Sequence, residues 1–323
     1  MKSLVKKIFP VALICVAGTV VAQDNWPNRP VRLVVPFPPG GAADAVARIV
    51  SDKLGKELGQ PVVIDNRPGG ATTIASTFVA RAAPDGYTLY LGGMNLHGLD
   101  KVLYPDIPYD GNKDFTPITR WVSSPLVLVA NKASGIKTVA DLLKKAKAAP
   151  DTVGYASAGN GTVTHQAAVY FDNVAGTKLF HVPYKGGAPA VLATLSGDTA
   201  VTFATPPSVM PMIASGKLQA VAVTSAKRSS LMPQIPSMDE AGVKGYNYTF
   251  WYGLYGPANL PTTTVDKLFK ASVAVLADSN VQKQLANQGM EAAPSASVID
   301  FKKLIAVDGP RVAQFASLKG SKE

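Results

Sequence analysis

Cysteine is almost absent from this 323-residue chain, and its single copy, Cys15, falls in the N-terminal segment. If that segment is removed, the rest of the chain has no thiol for a disulfide bond, a metal ion or nucleophilic catalysis. Roughly 300 remaining residues bury enough apolar surface to fold without such cross-links, and this length predicts two domains.

Long hydrophobic runs are also absent, apart from Ile8 to Ala22, which contains 15 residues without a charge. This run is shorter than the roughly 20 residues that span a bilayer, and Pro10 interrupts it. Lysines precede the run and small residues end it, an order typical of a secretory signal peptide. Residues 1–22 are therefore predicted to be a leader that is removed on export to the periplasm.

Blocks of charge are missing as well, because charged residues make up only 17% of the sequence and are scattered. The densest basic group, Lys144, Lys145 and Lys147, falls on a predicted helix, where a solvated face explains it. The formal charge is +10, and +7 remains without the three lysines of the predicted leader. This balance suits an anionic ligand but specifies no partner. Since no basic–aromatic motif is present, nucleic-acid binding is not expected.

Motifs for catalysis and for metal binding are lacking too. The sequence contains no G-x-S-x-G elbow, no G-x-x-x-x-G-K-[ST] phosphate loop and no H-E-x-x-H zinc helix. The three histidines, His97, His165 and His181, are not at the short spacings of metal ligands. We therefore expect no catalytic residue, no metal and no cofactor, and predict that the chain is not an enzyme.

Alternating strand and helix patterns run through the chain. Val31 to Val35 is a β-branched run, and from Ala42 the apolar residues recur at spacings of three and four, which predicts a helix that ends at Gly59. The same alternation restarts at Leu126, and the end of the chain is helical. This order predicts βαβ units on parallel sheets. We expect one domain from residues 23–125 with 247–323, and a second from residues 126–246.

Three glycine-rich loops each follow a predicted strand: Pro39 to Ala42, Pro68 to Thr73 and Ser157 to Thr162. The first backbone N–H groups of a helix lack intrahelical partners, and the helix dipole favours negative charge there. Glycine lets a ligand approach this backbone closely. One such loop is common in any α/β protein, but three loops spread over two predicted domains favour an anion site in a shared cleft.

The sequence resembles the Bug family of periplasmic solute receptors, the binding components of tripartite tricarboxylate transporters. The resemblance lies in VVPFPPGG (Val34 to Gly41), VVIDNRPGG (Val62 to Gly70), YASAGNGT (Tyr155 to Thr162) and HVPYKG (His181 to Gly186), among other stretches. It implies an α/β, two-domain hinged periplasmic-binding-protein fold (a Venus flytrap) with the ligand in the interdomain cleft. It also implies a monomeric receptor that delivers a small carboxylate to membrane permease subunits.

The resemblance, together with the three loops, implies a binding site that both domains form. In this chain the expected ligand-binding residues are Phe37, Pro39, Gly40, Gly41, Ala42, Gly70, Ala71, Thr72, Met94, Asn95, Ser157, Gly159, Asn160, Gly161, Thr162, His165, Tyr184, Ala204 and Thr205. For His165, a structural role is an alternative that the sequence leaves open.

Two positions bear on which carboxylate is bound. Several members of the family carry an aspartate after the strand that corresponds to Val201–Phe203, where it suits an ammonium group, but this chain has Ala204. The resemblance therefore implies a dicarboxylate or an aromatic carboxylate without a cationic amine. Met94 and Leu96 favour an aromatic acid if they line the pocket, and core packing is the alternative for both.

Other functions stay open at this point. A receptor subunit that reports ligand status to a signalling kinase would use the same closed form as a transport receptor. A periplasmic hydrolase is disfavoured because the chain lacks a recognisable nucleophile or metal motif.

Overall fold

The computed structural model describes residues 26–98 and 102–318. The predicted leader, residues 1–22, lies outside these ranges. The strands are β1 (Val31–Val35), β2 (Val62–Asn66), β3 (Thr88–Gly93), β4 (Phe115–Pro125), β5 (Val127–Asn131), β6 (Gly154–Ser157), β7 (Phe180–Pro183), β8 (Val201–Ala204), β9 (Leu218–Val223), β10 (Thr249–Pro257) and β11 (Glu291–Ala292).

The α-helices lie between these strands and at the end of the chain. They are α1 (Ala42–Leu58), α2 (Thr73–Ala80), α3 (Val139–Ala148), α4 (Val163–Ala175), α5 (Gly187–Ser196), α6 (Pro206–Ala214), α7 (Thr262–Ala277), α8 (Ser279–Asn287) and α9 (Val298–Phe315). No helix in the described ranges is long and apolar enough to cross a membrane.

The strands form two mixed sheets. The first sheet has the order β11-β4-β10-β3-β1-β2, and the second has the order β7-β6-β8-β5-β9. The expected parallel pairing is found for β2-β1-β3 and for β7-β6-β8. It is wrong for β5, which pairs antiparallel with both β8 and β9. The strands β10, β4 and β11, for which no pairing was predicted, are also antiparallel to their neighbours. The strands of these antiparallel pairs are not joined by a βαβ crossover, so the parallel rule does not apply to them.

Among the elements that were not predicted are β4, α5 and α6. Proline obscures each of them: β4 contains Pro117, α5 has Pro189 in its first turn, and α6 begins with Pro206 and contains Pro211. Proline is tolerated in the first turn of a helix because its missing N–H would have no partner there. Pro189 and Pro206, which in the sequence suggest that no helix is present, therefore lie at the starts of α5 and α6.

The chain passes between the two sheets at Leu126 and again before β10. Thr224, which follows β9 and is fully buried, joins these two segments. Its hydroxyl oxygen accepts a hydrogen bond from the Leu126 N–H at 2.7 Å and donates one to the Tyr248 carbonyl at 2.7 Å. Its own backbone bonds to the same two residues, from Thr224 N–H to the Leu126 carbonyl and from Tyr248 N–H to the Thr224 carbonyl.

The last helix, α9, contacts both halves of the molecule. Near its start Phe301 packs edge to face on Trp251 of β10, in the first sheet. Near its end Phe315 packs on Tyr170 of α4, on the side of the second sheet, and on Tyr248. The two sheets are therefore linked by two chain crossings and by one helix that lies across them.

Candidate functional site

Two connected cavities lie between loops of the two sheets. The inner cavity is small, about 30 Å³, and the outer one measures about 640 Å³. Phe37, Pro38 and Ala158 line both, so one continuous cleft leads from the surface inward. We call these two spaces the inner chamber and the outer chamber.

The loop between β1 and α1 forms the first-sheet wall of the inner chamber. An ion-pair network behind the wall fixes its shape. Asp44, buried in the first turn of α1, accepts hydrogen bonds from the Gly40 N–H at 3.0 Å and from two nitrogens of Arg48. The amide of Asn66 donates both to Asp44 and to the Phe37 carbonyl.

This network also sets the charge of Asp44. Burial acts to raise the pKa of the Asp44 carboxyl, but the hydrogen bonds from Arg48, Gly40 and Asn66 outweigh it and hold the pKa below its usual range. Asp44 therefore stays ionised at neutral pH. Its charge is matched by Arg48 and does not face an incoming anion as a free carboxylate.

The loop Ser157 to Thr162, between β6 and α4, forms the second-sheet wall. Two histidines support it from behind. The Gly161 N–H donates to Nδ1 of His165 at 3.0 Å, and Nε2 of His181 lies 2.6 Å from the Ser157 hydroxyl. The His165 and His181 rings stack at 4.2 Å, and Tyr155 stacks on the other side of His181 at 4.8 Å.

Four helices point their N-termini at the inner chamber. First-turn or N-cap residues of α1, α4, α5 and α6 all line it, represented by Ala42, Val163, Gly187 and Thr205. In none of the four does the N-cap side chain accept a hydrogen bond from a backbone N–H of the first turn. By contrast, α3, α8 and α9, away from the cleft, are capped by the side chains of Thr138, Asp278 and Ser297.

The inner chamber therefore collects helix-terminal N–H groups from α1, α4 and α5, and the positive ends of four helix dipoles. The first two residues of α6 are prolines and have no N–H to offer. No charged side chain among the described residues lines it. Tyr252 adds a hydroxyl, and because burial raises its pKa well above the ordinary value, that hydroxyl stays protonated and able to donate. Such a chamber can hold an anionic group by dipoles and hydrogen bonds alone.

The loop Pro68 to Thr72 lines the outer chamber and carries backbone strain. Ala71 and Thr72 have φ values of 50° and 93°, a region that side-chain-bearing residues avoid. The Asn95 amide donates to the Thr72 hydroxyl at 3.2 Å and helps to hold this conformation. Strain of this kind is concentrated at functional sites, where the surrounding structure maintains it.

Residues from opposite sides of the cleft touch one another. The Tyr104 hydroxyl lies 3.4 Å from the Asn160 carbonyl oxygen. Gly186, the N-cap residue of α5, approaches Pro38 so closely that a Cβ atom placed on it would lie 2.8 Å from Pro38 Cγ. The two walls are thus in contact at the cleft, and there is no room for a side chain at Gly186.

Twelve of the nineteen predicted ligand-binding residues line the cleft. Those in the inner chamber are Phe37, Pro39, Gly41, Ala42, Thr162 and Thr205, and those in the outer chamber are Phe37, Gly70, Ala71, Thr72, Gly159, Asn160 and Tyr184.

The other seven predicted residues do not line either chamber. They are Gly40, Met94, Asn95, Ser157, Gly161, His165 and Ala204. Met94 and Leu96 belong to the hydrophobic core, which removes the observation that favoured an aromatic acid. His165, which is 2% exposed, supports the loop instead of lining the chamber, in line with the structural alternative.

The prediction missed several lining residues. In the inner chamber they include Gly187, Ala188 and Tyr252, and in the outer chamber Tyr104, Lys185 and Gly186. Lys185, Gly186 and Gly187 follow β7 as the other glycine-rich loops follow their strands, so the sequence did contain a signal for them. Tyr104 and Tyr252 carry no local motif, and only the tertiary fold brings them to the cleft.

Comparison with known proteins relates the chain to one family. The family described as "Tripartite tricarboxylate transporter family receptor" matches residues 46–315. A protein encoded in the tcbD–tcbE intergenic region of Pseudomonas sp. strain P51 is 36% identical over 289 residues, which cover 88% of this chain and 86% of that protein. Protein BugT of Bordetella pertussis is 34% identical over 270 residues, 83% of each chain.

Solved structures of similar proteins superpose over nearly the whole chain. Rpa4515 of R. palustris, solved with adipate, has a TM-score of 0.86 at 32% identity and covers 91% of this chain and 99% of its own. MatC of Rhodopseudomonas palustris, with bound malate, has a TM-score of 0.83 at 30% identity, covering 90% and 100%. The periplasmic binding protein BugD also has a TM-score of 0.83, at 34% identity over 90% of this chain and 97% of its own.

Proposed function

Because the chain belongs to the receptor family of tripartite tricarboxylate transporters, as the resemblance in its sequence predicted, we propose that its cleft captures a small carboxylate without a cationic amine. The family and its solved relatives are solute-binding receptors, which confirms the prediction that the chain is not an enzyme. The two-domain α/β fold is confirmed by the same relatives.

The convergence of four N-termini on the inner chamber is the observation that carries this proposal. A carboxylate there would accept hydrogen bonds from N–H groups that lack intrahelical partners, and the four dipoles would favour its charge. The helices away from the cleft that are capped by their own side chains do not offer this environment. A neutral chamber of donors matches a carboxylate better than a metal ion or a cationic ligand.

The lack of acidic residues supports the exclusion of amine-bearing ligands. Neither chamber is lined by an Asp or Glu from the described part of the chain. Ala204, at the position where several members of the family carry an aspartate, is buried and does not line the cleft. An ammonium group in the cleft would be desolvated without an anionic partner, and this cost disfavours amino acids. Dicarboxylates and aromatic carboxylates are the candidate classes.

Membership of this family supports a proposal for the cellular role. We propose a monomeric periplasmic receptor, with residues 1–22 removed, that delivers its ligand to membrane permease subunits. We assign residues 23–125 and 247–323 to the first domain and residues 126–246 to the second. The two sheets and the chain crossings near Leu126 and Tyr248 support these limits.

A thermal-shift screen of the chain without its leader tests the ligand class. Dicarboxylates, aromatic carboxylates and amino acids are compared at equal concentration and ionic strength. A ligand at a hundred times its Kd stabilises the folded state by about 2.7 kcal/mol, which raises the melting temperature by roughly 5 °C or more. We expect such shifts with plain carboxylates. The proposal would be contradicted if only amino acids raised the melting temperature, or if no carboxylate raised it.

A further inference from the structure

The two chambers differ in charge. No charged residue of the described chain lines the inner chamber, and Lys185 is the one charged residue of the described chain that lines the outer chamber. Most other charges near the cleft are matched: Asp44 pairs with Arg48, and Asp65 pairs with Arg67. Within the described ranges, Lys185 forms no ion pair within 4 Å.

The position of Lys185 gives it access to the ligand space. It lies in the short loop between β7 and α5, next to Tyr184 and Gly186, which also line the outer chamber. Lysine carries a compact charge on a flexible four-carbon stem and can adjust to an anionic group at a range of distances.

A second group in the outer chamber lacks a partner. The side-chain oxygen of Asn160 is buried and accepts no hydrogen bond from the described residues. Asn160 lines the same chamber as Lys185. Because that oxygen is buried, the amide is left with its NH₂ group as the part that can donate to a ligand oxygen.

The wall between the two ends is apolar. Pro36, Phe37, Pro38, Ala158 and Pro183 line the outer chamber, and three of them continue into the inner one. The cleft thus has a neutral donor site at its inner end, an apolar middle and a cation at its outer end. This arrangement is complementary to a linear molecule with a carboxylate at each end.

Resting on the proposed function of the inner chamber, we propose that Lys185 selects a ligand with a second anionic group. One carboxylate of an α,ω-dicarboxylate lies in the inner chamber, its methylene chain packs along the apolar wall, and its other carboxylate meets Lys185 and the Asn160 amide. An aromatic monocarboxylate would fill the apolar middle but would leave Lys185 without an anionic partner.

Paired ligands that differ only in the second carboxylate test this role. Affinities of adipate and hexanoate, both with six carbons, and of benzoate are measured by titration calorimetry for the wild type and for K185M. The dicarboxylates from malonate to pimelate are included to cover chain length. K144M, which removes an exposed lysine of α3 that does not line the cleft, is the matched control. K185R keeps the charge.

We expect the wild type to prefer one of the dicarboxylates over its matched monocarboxylate by about tenfold to a hundredfold, as for other charge-assisted hydrogen bonds. K185M should lose most of this preference with little change for hexanoate, whereas K185R and K144M should keep it. Higher salt should narrow the preference of the wild type, because exposed charges are screened.

Two results would overturn the assignment of Lys185 while leaving the proposed function intact. One is a wild type that binds hexanoate or benzoate as tightly as every dicarboxylate. The other is a K185M variant that weakens dicarboxylate and monocarboxylate equally, since Lys185 would then only shape the loop. If no carboxylate of any class binds the wild type, both the proposed function and this inference fail.

Discussion

At the scale of single residues, His97 shows how burial sets the charge of a side chain. It follows β3 and is 5% exposed, with Nε2 2.9 Å from the Tyr255 hydroxyl and Nδ1 3.2 Å from the Asn112 side-chain oxygen. Burial lowers its pKa to about 4, although Asn112 and the charge of Asp110 act in the opposite direction. The folded protein therefore holds a neutral imidazole, with Nδ1 donating to Asn112 and Nε2 accepting from Tyr255.

This neutral histidine predicts a loss of stability in mild acid. Between pH 6.5 and pH 4 the unfolded chain binds a proton at His97 that the folded chain does not, so the free energy of unfolding falls as the pH falls. The contribution is roughly 3 kcal/mol over this window. Urea denaturation at several pH values should show a shallower pH dependence for H97Q than for the wild type.

Comparing H97Q with the wild type separates the contribution of His97 to the pH dependence of stability from those of other titratable groups. Burial raises the pKa of Asp172, so that residue stabilises the fold as the pH falls, but it is present in both proteins. Asp44, with its lowered pKa, contributes stability that is lost only as the pH falls below about 4. Equal slopes for H97Q and the wild type between pH 6.5 and pH 4 would contradict the prediction.

Residue-level features were only partly predictable from the sequence. Loop glycines such as Gly41 and Gly70 were correctly predicted to line the cleft, because a glycine-rich turn after a strand is a local sequence pattern. The strained backbone at Thr72 and the position of Met94 in the core depend on neighbours that are distant in the chain. His165 carried no signal that separated a ligand contact from a loop support, and its partner Gly161 became evident only from the geometry.

At the scale of elements, Thr224 joins the two segments that connect the sheets. Its hydroxyl satisfies the Leu126 N–H and donates to the Tyr248 carbonyl, and it is inaccessible to water. T224V keeps the shape of the side chain but removes the hydroxyl that bonds to the Leu126 N–H and the Tyr248 carbonyl. A buried donor that loses its partner costs about 1–3 kcal/mol, so we expect a fall of this size in the free energy of unfolding.

Urea denaturation of T224V and of T224S measures this cost. Serine keeps the hydroxyl and removes one methyl group, so T224S should lose about 1 kcal/mol and remain more stable than T224V. A T224V variant within roughly 0.5 kcal/mol of the wild type would show that water or backbone rearrangement replaces the hydroxyl.

The elements that the sequence predicted are those with a clear period. The apolar spacing of α1 and the β-branched run of β1 placed both within a residue of their limits. By contrast, α5 and α6 are short and mostly apolar, α5 with three alanines and α6 with three prolines, so their periodicity is weak. Of the four N-termini at the inner chamber, that of α5 was consequently missing from the predicted site, whereas Thr205 represented that of α6.

At the scale of the whole molecule, the sequence predicted the two halves but not the way they meet. Loop motifs predicted an anion-binding backbone in both halves, and the family resemblance implied that the two lie around one cleft. The close contact of Gly186 with Pro38 depends on the relative position of the two sheets, which no local pattern encodes. Gly186 therefore allows a test of whether binding requires the halves to meet.

G186A should weaken the binding of all carboxylates alike, because its Cβ would lie 2.8 Å from Pro38 only when the walls are in contact. Overpacking of this kind costs about 1–3 kcal/mol, which corresponds to about fivefold to 150-fold in Kd. The strain of a side chain at φ +120° is present whether the cleft is open or closed and does not by itself change affinity. Calorimetry with the ligands used for Lys185 measures the effect.

G176A controls for the strain, since Gly176 also has a positive φ, +63°, but has open space around its Cβ position. We expect G176A to lose stability and keep its affinity, and G186A to lose affinity for adipate and hexanoate by the same factor. Small-angle scattering should also show less compaction of G186A on addition of saturating ligand. Wild-type affinity in G186A would mean that the ligand is held without contact between the walls, because the added methyl group leaves no space for that contact.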